Sequence, residues 1–329
     1  MEKYSAYRDP GTGIQYPIPP LYRIVTHLFT AILSRSALLF LGLWWIPVES
    51  VTRKRGRGNN KPESWNPKAG DLIVANWCSW IELLWLAFRF NPVFVLPVSE
   101  PVQAPKEQVA TPISRTPGRR TGTGSANIVS QATRAPTTRA PIVGFQQVSL
   151  LTIICHAGKM PRSTTDVGSN YQSLKEIQRQ AGRPVVVFPE CTTSNGRGLL
   201  RFADVFKGYG VPTKGFRVFM ACFRYDPPTA LSPSMALSIP SSSLNPLPHL
   251  FSLASSLKPL VLSVRLLAPS DGPSSPTFIA SEVISGEISD DTLSAVSAGL
   301  IAQLGKFKRV TLGWEDKAFF LEFYHQKRG

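Results

Sequence analysis

In the stretch Val185-Val-Val-Phe-Pro-Glu-Cys-Thr-Thr-Ser-Asn-Gly-Arg-Gly-Leu-Leu-Arg201, three β-branched residues and Phe188 form a short apolar run that Pro189 stops. That is the pattern of a fully buried strand ending at a site. The carboxylate of Glu190 follows at once. Next comes a polar turn, Thr192 to Gly196, whose hydroxyls and backbone donors suit an anion, with Arg197 and Arg201 close behind. On this stretch alone two readings stand: an anion site at a strand end, and an ordinary strand-to-helix turn carrying a glutamate.

Working outward, Asp71 to Asn76 reads as another short buried strand and Leu83 to Phe90 as an apolar helix. Ser79, three residues before Glu82, has the spacing of a capping box and places the helix start at Ser79. Asn91-Pro92 ends the helix, and Val93 to Pro97 is a strand that Pro97 closes. Ile142 to Ile154 is strand-like, Ser173 to Gln180 a polar helix, and Gly215 to Tyr225 a further buried strand. This alternation predicts an α/β domain over residues 71–230, with a mixed sheet flanked by helices.

The 329 residues carry 36 Lys and Arg against 21 Asp and Glu, a formal charge of +15 that favours an anionic partner. The basic residues are scattered, without an aromatic-interleaved stripe or a nucleic-acid module, so nucleic acid is not the expected partner. Cys78, Cys155, Cys191 and Cys222 lie far apart, which predicts neither a zinc site nor a disulfide framework. No cleavable signal peptide is evident in the polar first twenty residues. The apolar segment from Leu21 to Val48 is long enough to cross a bilayer, but Arg35 stands in its middle. It predicts either a span or an interfacial helix pair bent at Arg35, with Trp44 and Trp45 at the membrane boundary. Arg53, Lys54, Arg55, Arg57 and Lys61 then place the remainder on the cytosolic side, against anionic headgroups.

The expected organisation is a disordered N-terminus (1–20), a membrane-inserted helical segment (21–50), a basic linker (51–70), the domain at 71–230 and a C-terminal extension (231–329). Residues 100–141, rich in Ser, Thr, Pro, Gly and Arg, read as a flexible basic loop within the domain. In the extension, His249 to Leu267 reads as a surface helix followed by a strand, and Ser289 to Leu304 as an amphipathic helix. The aromatic tail Phe319 to Tyr324 reads as a second surface anchor.

Asn76 to Glu82 and Phe188 to Ser194 together resemble the phospholipid/glycerol acyltransferase family, whose first and third motifs are Asn-His-x-x-x-x-Asp and Phe-Pro-Glu-Gly-Thr-Arg-Ser. The continuation through Gly196 and the segment Trp314 to Tyr324 are similar to the fungal oleoyl-CoA:lysophosphatidate acyltransferases. The resemblance implies acyl-CoA-dependent acylation of a lysophospholipid, lysophosphatidate giving phosphatidate. Acyl-CoA would be co-substrate, with no bound cofactor and no metal. The location would be the membrane of the endoplasmic reticulum or a lipid droplet surface, facing the cytosol. It puts Glu190, Thr192, Thr193 and Ser194 at the acceptor, Asn76 and Glu82 at the reacting hydroxyl, and Arg224 and Tyr225 near phosphate or coenzyme A.

The chain departs from the motifs at three places. Trp77 holds the histidine position, and an indole cannot accept a proton. Glu82 stands for the aspartate. Cys191 and Thr193 stand for the glycine and arginine of the third motif, so Arg197 and then Arg201 become the candidate cations. His156, Cys78 and Glu82 are the alternative bases. A second function therefore accompanies the first: an acyltransferase-like lipid-binding or membrane scaffold protein with impaired catalysis.

Overall fold

A computed structural model describes residues 19–53, 63–101, 139–229, 232–256, 259–284 and 290–327. The expectations for the N-terminus, for Lys54 to Lys61 and for residues 102–138 of the basic loop lie outside these. The elements in chain order are α1 (Pro19–Phe40), β1 (Val48–Val51), β2 (Leu72–Ala75), α2 (Ile81–Phe90), β3 (Val93–Ser99) and β4 (Ile142–Val148). Then follow α3 (Leu150–His156), β5 (Arg162–Ser163), α4 (Thr164–Val167), α5 (Leu174–Gln180), β6 (Val185–Val187) and β7 (Gly198–Leu199). β8 (Val218–Tyr225), α6 (Leu247–Ala254), β9 (Leu262–Leu267), α7 (Thr292–Gly305), β10 (Lys308–Arg309) and α8 (Trp314–Gln326) complete the chain.

Eight strands form one mixed sheet in the order β1-β9-β8-β2-β6-β3-β4, with β5 beside β3, and β7 pairs with β10 in a separate parallel two-stranded sheet. β2 runs parallel to β6 and to β8, while β3–β4 and β8–β9 are antiparallel. The apolar runs explain the centre: every residue of β2 and β6 is buried, as befits parallel strands covered on both faces. One face packs Leu38 of α1, Leu83 of α2, Ile153 of α3 and Leu253 of α6. The other packs Ile177 of α5, Leu300 of α7 and Trp314 of α8.

Several expectations are corrected. Among the described residues no helix is long and apolar enough to cross a membrane. The apolar stretch 21–48 instead divides: α1 ends at Phe40, the chain turns at Gly42 (φ +80), and Val48 opens an edge strand on β9. There is no helix pair bent at Arg35. That residue lies inside α1 and donates to the carbonyls of Leu43 (3.0 Å) and Trp44 (2.7 Å), folding the turn back onto the helix.

Ile142 to Ile154 is not one strand, because the Ser149 hydroxyl accepts the Thr152 N–H and starts α3. β3 runs past Pro97 to Ser99, since β6 has ended there and β5 pairs only from Val98, so no ladder bond on that side needs a proline N–H. The sheet does not stop at residue 230. β9 lies between β1 and β8, and α7, expected as an amphipathic surface helix, is largely buried against the sheet behind its Asp291 cap.

Candidate functional site

β2 and β6 are parallel neighbours in register, Leu72 with Val185 and Val74 with Val187, so the residues following them emerge side by side. Functional groups of α/β sheets gather at such strand ends. Glu190 is fully buried, and its two oxygens accept the backbone N–H groups of Trp77 (2.8 Å) and Leu200 (3.0 Å). The Trp77 carbonyl in turn accepts the Ser194 N–H at 2.7 Å. Burial outweighs these donors and pushes the Glu190 carboxyl up to about 8. The Trp77 ring stacks on Phe188 with centroids 5.0 Å apart, and its indole N–H donates to the Ser79 carbonyl at 2.9 Å. Trp77 is thus a core side chain.

Glu82 is the second buried carboxyl. One oxygen accepts the N–H groups of Cys78 (2.5 Å) and Ser79 (2.6 Å), and the other accepts the Tyr225 hydroxyl. The capping box is therefore half realised. α2 starts at Ile81 with Trp80 as its N-cap, Glu82 reaches back as expected, and the buried Ser79 hydroxyl finds no partner among the described residues. Burial raises the Glu82 carboxyl to about 7, where it takes up and releases a proton near neutrality. Burial and the neighbouring Glu82 hold the Cys78 thiol well above its ordinary value, so it is no thiolate. The Ser194 hydroxyl lies 3.4 Å from Cys78 Sγ, and a Cβ on Gly196 would sit 3.8 Å from that sulfur and 4.0 Å from the Tyr225 ring. The polar turn packs against Cys78 and the ring of Tyr225, the partner of Glu82.

Within that turn, Cys191 adopts φ +58 at the position where the resembled motif has glycine. The Thr192 hydroxyl donates to the Lys159 carbonyl at 2.9 Å and the Thr193 hydroxyl to the Leu237 carbonyl, so both serve the loop's own geometry. The cation that bonds to the turn is Lys317. Arg197 is exposed, and Arg201 pairs with Glu315 at 3.2 Å. Lys317 of α8 donates to Thr192 Oγ1 and to the Thr193 carbonyl, both at 2.7 Å. Burial lowers its amine to about 7, against the opposing pull of Glu190.

Two expected catalytic residues have other work. Asn76 splices into the sheet, its amide accepting the Phe223 N–H (2.8 Å) and donating to the Phe223 carbonyl (3.0 Å), so it extends the β2–β8 ladder. His156 ends α3 with its ring on the Met160 carbonyl at 2.6 Å, and burial holds it down at about 4. No hydrogen bond joins it to Glu82 or Glu190 among those described. His249 accepts the Trp80 indole N–H at 3.0 Å and so touches the edge of the first motif. Lys317 carried no local signal, since it meets Thr192 across 125 residues. Only the lack of a cation in the third motif pointed to something like it.

No protein family, curated protein or solved structure matches the chain.

Proposed function

We propose that the chain transfers an acyl group from acyl-CoA to lysophosphatidate, with Glu82 as general base. One observation carries this reading: a buried carboxyl raised to about 7 stands five residues after Trp77, hydrogen-bonded to Tyr225, whose ring lies against the turn of the third motif. The ionised Glu82 takes the proton of the acceptor hydroxyl as its oxygen adds to the thioester carbonyl. The tetrahedral intermediate then collapses, coenzyme A leaves, and its sulfur receives that proton. Glu190 holds Trp77 and Leu200 in place, and Lys317 supplies the positive charge toward the acceptor phosphate. The Ser194–Gly196 turn opens to admit the hydroxyl, because Glu82 is fully buried when it is closed.

Purified protein in mixed micelles is expected to release coenzyme A from oleoyl-CoA only with a lysophospholipid present. Glu82→Gln should lower kcat at least about a hundredfold. Release unchanged in that variant removes Glu82 from the role. No release with any lysophospholipid rejects the enzyme.

The buried, stacked Trp77 favours a second reading, a lipid-binding or scaffold protein that retains the fold without the chemistry. Trp77→His separates the two: activity appearing from none supports the scaffold, and loss of existing activity means that the site works around tryptophan.

A further inference from the structure

The two oxygens of Glu82 are not equivalent. The carboxyl is fully buried, and Oε1 is occupied by the N–H groups of Cys78 (2.5 Å) and Ser79 (2.6 Å). Oε2 is therefore the oxygen left to receive a proton, and the side chain that holds it is Tyr225, through its hydroxyl.

The chain fixes this contact from several sides. The Asn76 amide grips both backbone groups of Phe223, two residues before Tyr225, and so sets the position of the end of β8. Side chains alternate along a strand, so Phe223 and Tyr225 share a face, and both pack in the apolar layer that holds α2. On its other edge Tyr225 pairs with Leu262 of β9. Tyr225 is only half-buried, and its ring lies 4.0 Å from where a Cβ on Gly196 would stand. It thus spans the distance between the third-motif turn and Glu82, with its ring on the turn and its hydroxyl on Oε2. The other titratable groups facing the pair are Cys78 and Glu190, and neither side chain is hydrogen-bonded to it among the described residues.

We propose that Tyr225 and Glu82 act as one proton-accepting unit, in which the phenol touches the acceptor hydroxyl and the carboxylate behind it stores the proton. The assignment rests on the acyl transfer reading and adds to it a catalytic residue. The acceptor hydroxyl gives its proton to the Tyr225 oxygen while the phenolic proton moves to Oε2. The freed electron pair forms the bond to the thioester carbon, and the carbonyl π pair moves onto its oxygen. Collapse restores that carbonyl and breaks the C–S bond, and the sulfur takes the proton back from Glu82 through Tyr225. Burial and the neighbouring Glu82 hold the phenol well above its ordinary value, so no phenolate accumulates and the two proton shifts occur together.

In the micelle assay, Tyr225→Phe should lower kcat at least about thirtyfold with KM within a few-fold, since the ring remains and only the proton path is cut. In a Glu82→Gln background the same substitution should cost less than about threefold, because the unit is already broken. Tyr225→Phe at the wild-type rate overturns the proposal, and so do two losses that multiply. Infrared spectroscopy tests the unit without turnover. The band of the protonated Glu82 carboxyl, identified by its loss in Glu82→Gln, should shift in Tyr225→Phe. Its titration midpoint should move to higher pH, because the lost hydrogen bond favoured the carboxylate. A band and midpoint left in place overturn the proposal, even where the variant melts lower, since a merely structural tyrosine would give that result. Should Tyr225→Phe fail to fold, difluorotyrosine at position 225 takes its place: a more acidic phenol of nearly the same shape should move the midpoint to lower pH, and an unmoved midpoint overturns the unit. A midpoint that moves in a protein releasing no coenzyme A rejects acyl transfer and leaves the Tyr225–Glu82 unit standing.

Discussion

At the scale of single residues, the site is held by groups the sequence could name and by one it could not. Glu190 is legible because it follows a buried apolar run directly, and Glu82 because its spacing from Ser79 marks the start of a helix. Lys317 is not, because its partners are reached only through the docking of α8. Lys317→Met should raise KM for lysophosphatidate about 10- to 100-fold while leaving kcat within a few-fold, the pattern of lost phosphate binding. Lys317→Arg should restore part of it, and an uncharged monoacylglycerol acceptor should show no such change. Equal losses on both acceptors would mean that Lys317 only holds the turn.

Cys191 offers a separate check. Its φ of +58 strains any side chain, whereas its buried thiol packs in the core. Cys191→Gly should stay within about 1 kcal/mol of wild type, relief of strain offsetting the lost contacts. Cys191→Val, β-branched in the left-handed region, should lose more than about 2 kcal/mol, both read from urea midpoints.

At the scale of elements, central strands were readable and junctions were not. β2, β6 and β8 are continuous apolar runs, which is all that a strand covered on both faces requires. The junction at Ser149 was missed because a single hydroxyl turns an apolar run from strand to helix there. Apolar content alone also left α1 open between a span and an interfacial helix, and it read α7 as amphipathic although most of its residues, Ser294 and Ser297 included, are buried.

Asp291 shows how such an element is anchored. Its carboxylate accepts the Ser294 N–H (2.9 Å) at the start of α7 and also the Phe206 N–H (2.7 Å) across the domain. Asp291→Ala should therefore cost about 2–3 kcal/mol, more than an ordinary cap of about 1 kcal/mol, because it also orphans a buried N–H. Asp291→Asn should recover part of that loss in the same denaturation measurement.

At the scale of the whole molecule, three buried titratable groups impose a pH dependence on folding. Glu82 and Glu190 are raised from 4.5 to about 7 and about 8. Between the unfolded and folded values the native state holds more protons, so their stabilisation is complete below about pH 4.5 and is lost as pH rises through 7 and then 8. Lys317 is lowered from 10.5 to about 7, and between those values the unfolded state holds the extra proton. Its contribution therefore grows with pH over that window and opposes the loss from Glu190 above pH 7. Together the three place a minimum of their joint contribution near pH 7–8. The fall toward it is steepest between pH 5 and 7, at most roughly 3 kcal/mol per pH unit for two protons. The double variant Glu82→Gln, Glu190→Gln isolates this term, because the remaining carboxylates are common to both proteins. The unfolding free energy of wild type minus that of the variant should fall from pH 5 to pH 7.5, and a difference that is flat or rises over that interval would show both glutamates ionised in the folded protein. The same two protons connect stability to chemistry: ionising Glu82 costs the fold free energy and is also what makes it a base, so coenzyme A release should rise with pH through about 7 as stability falls.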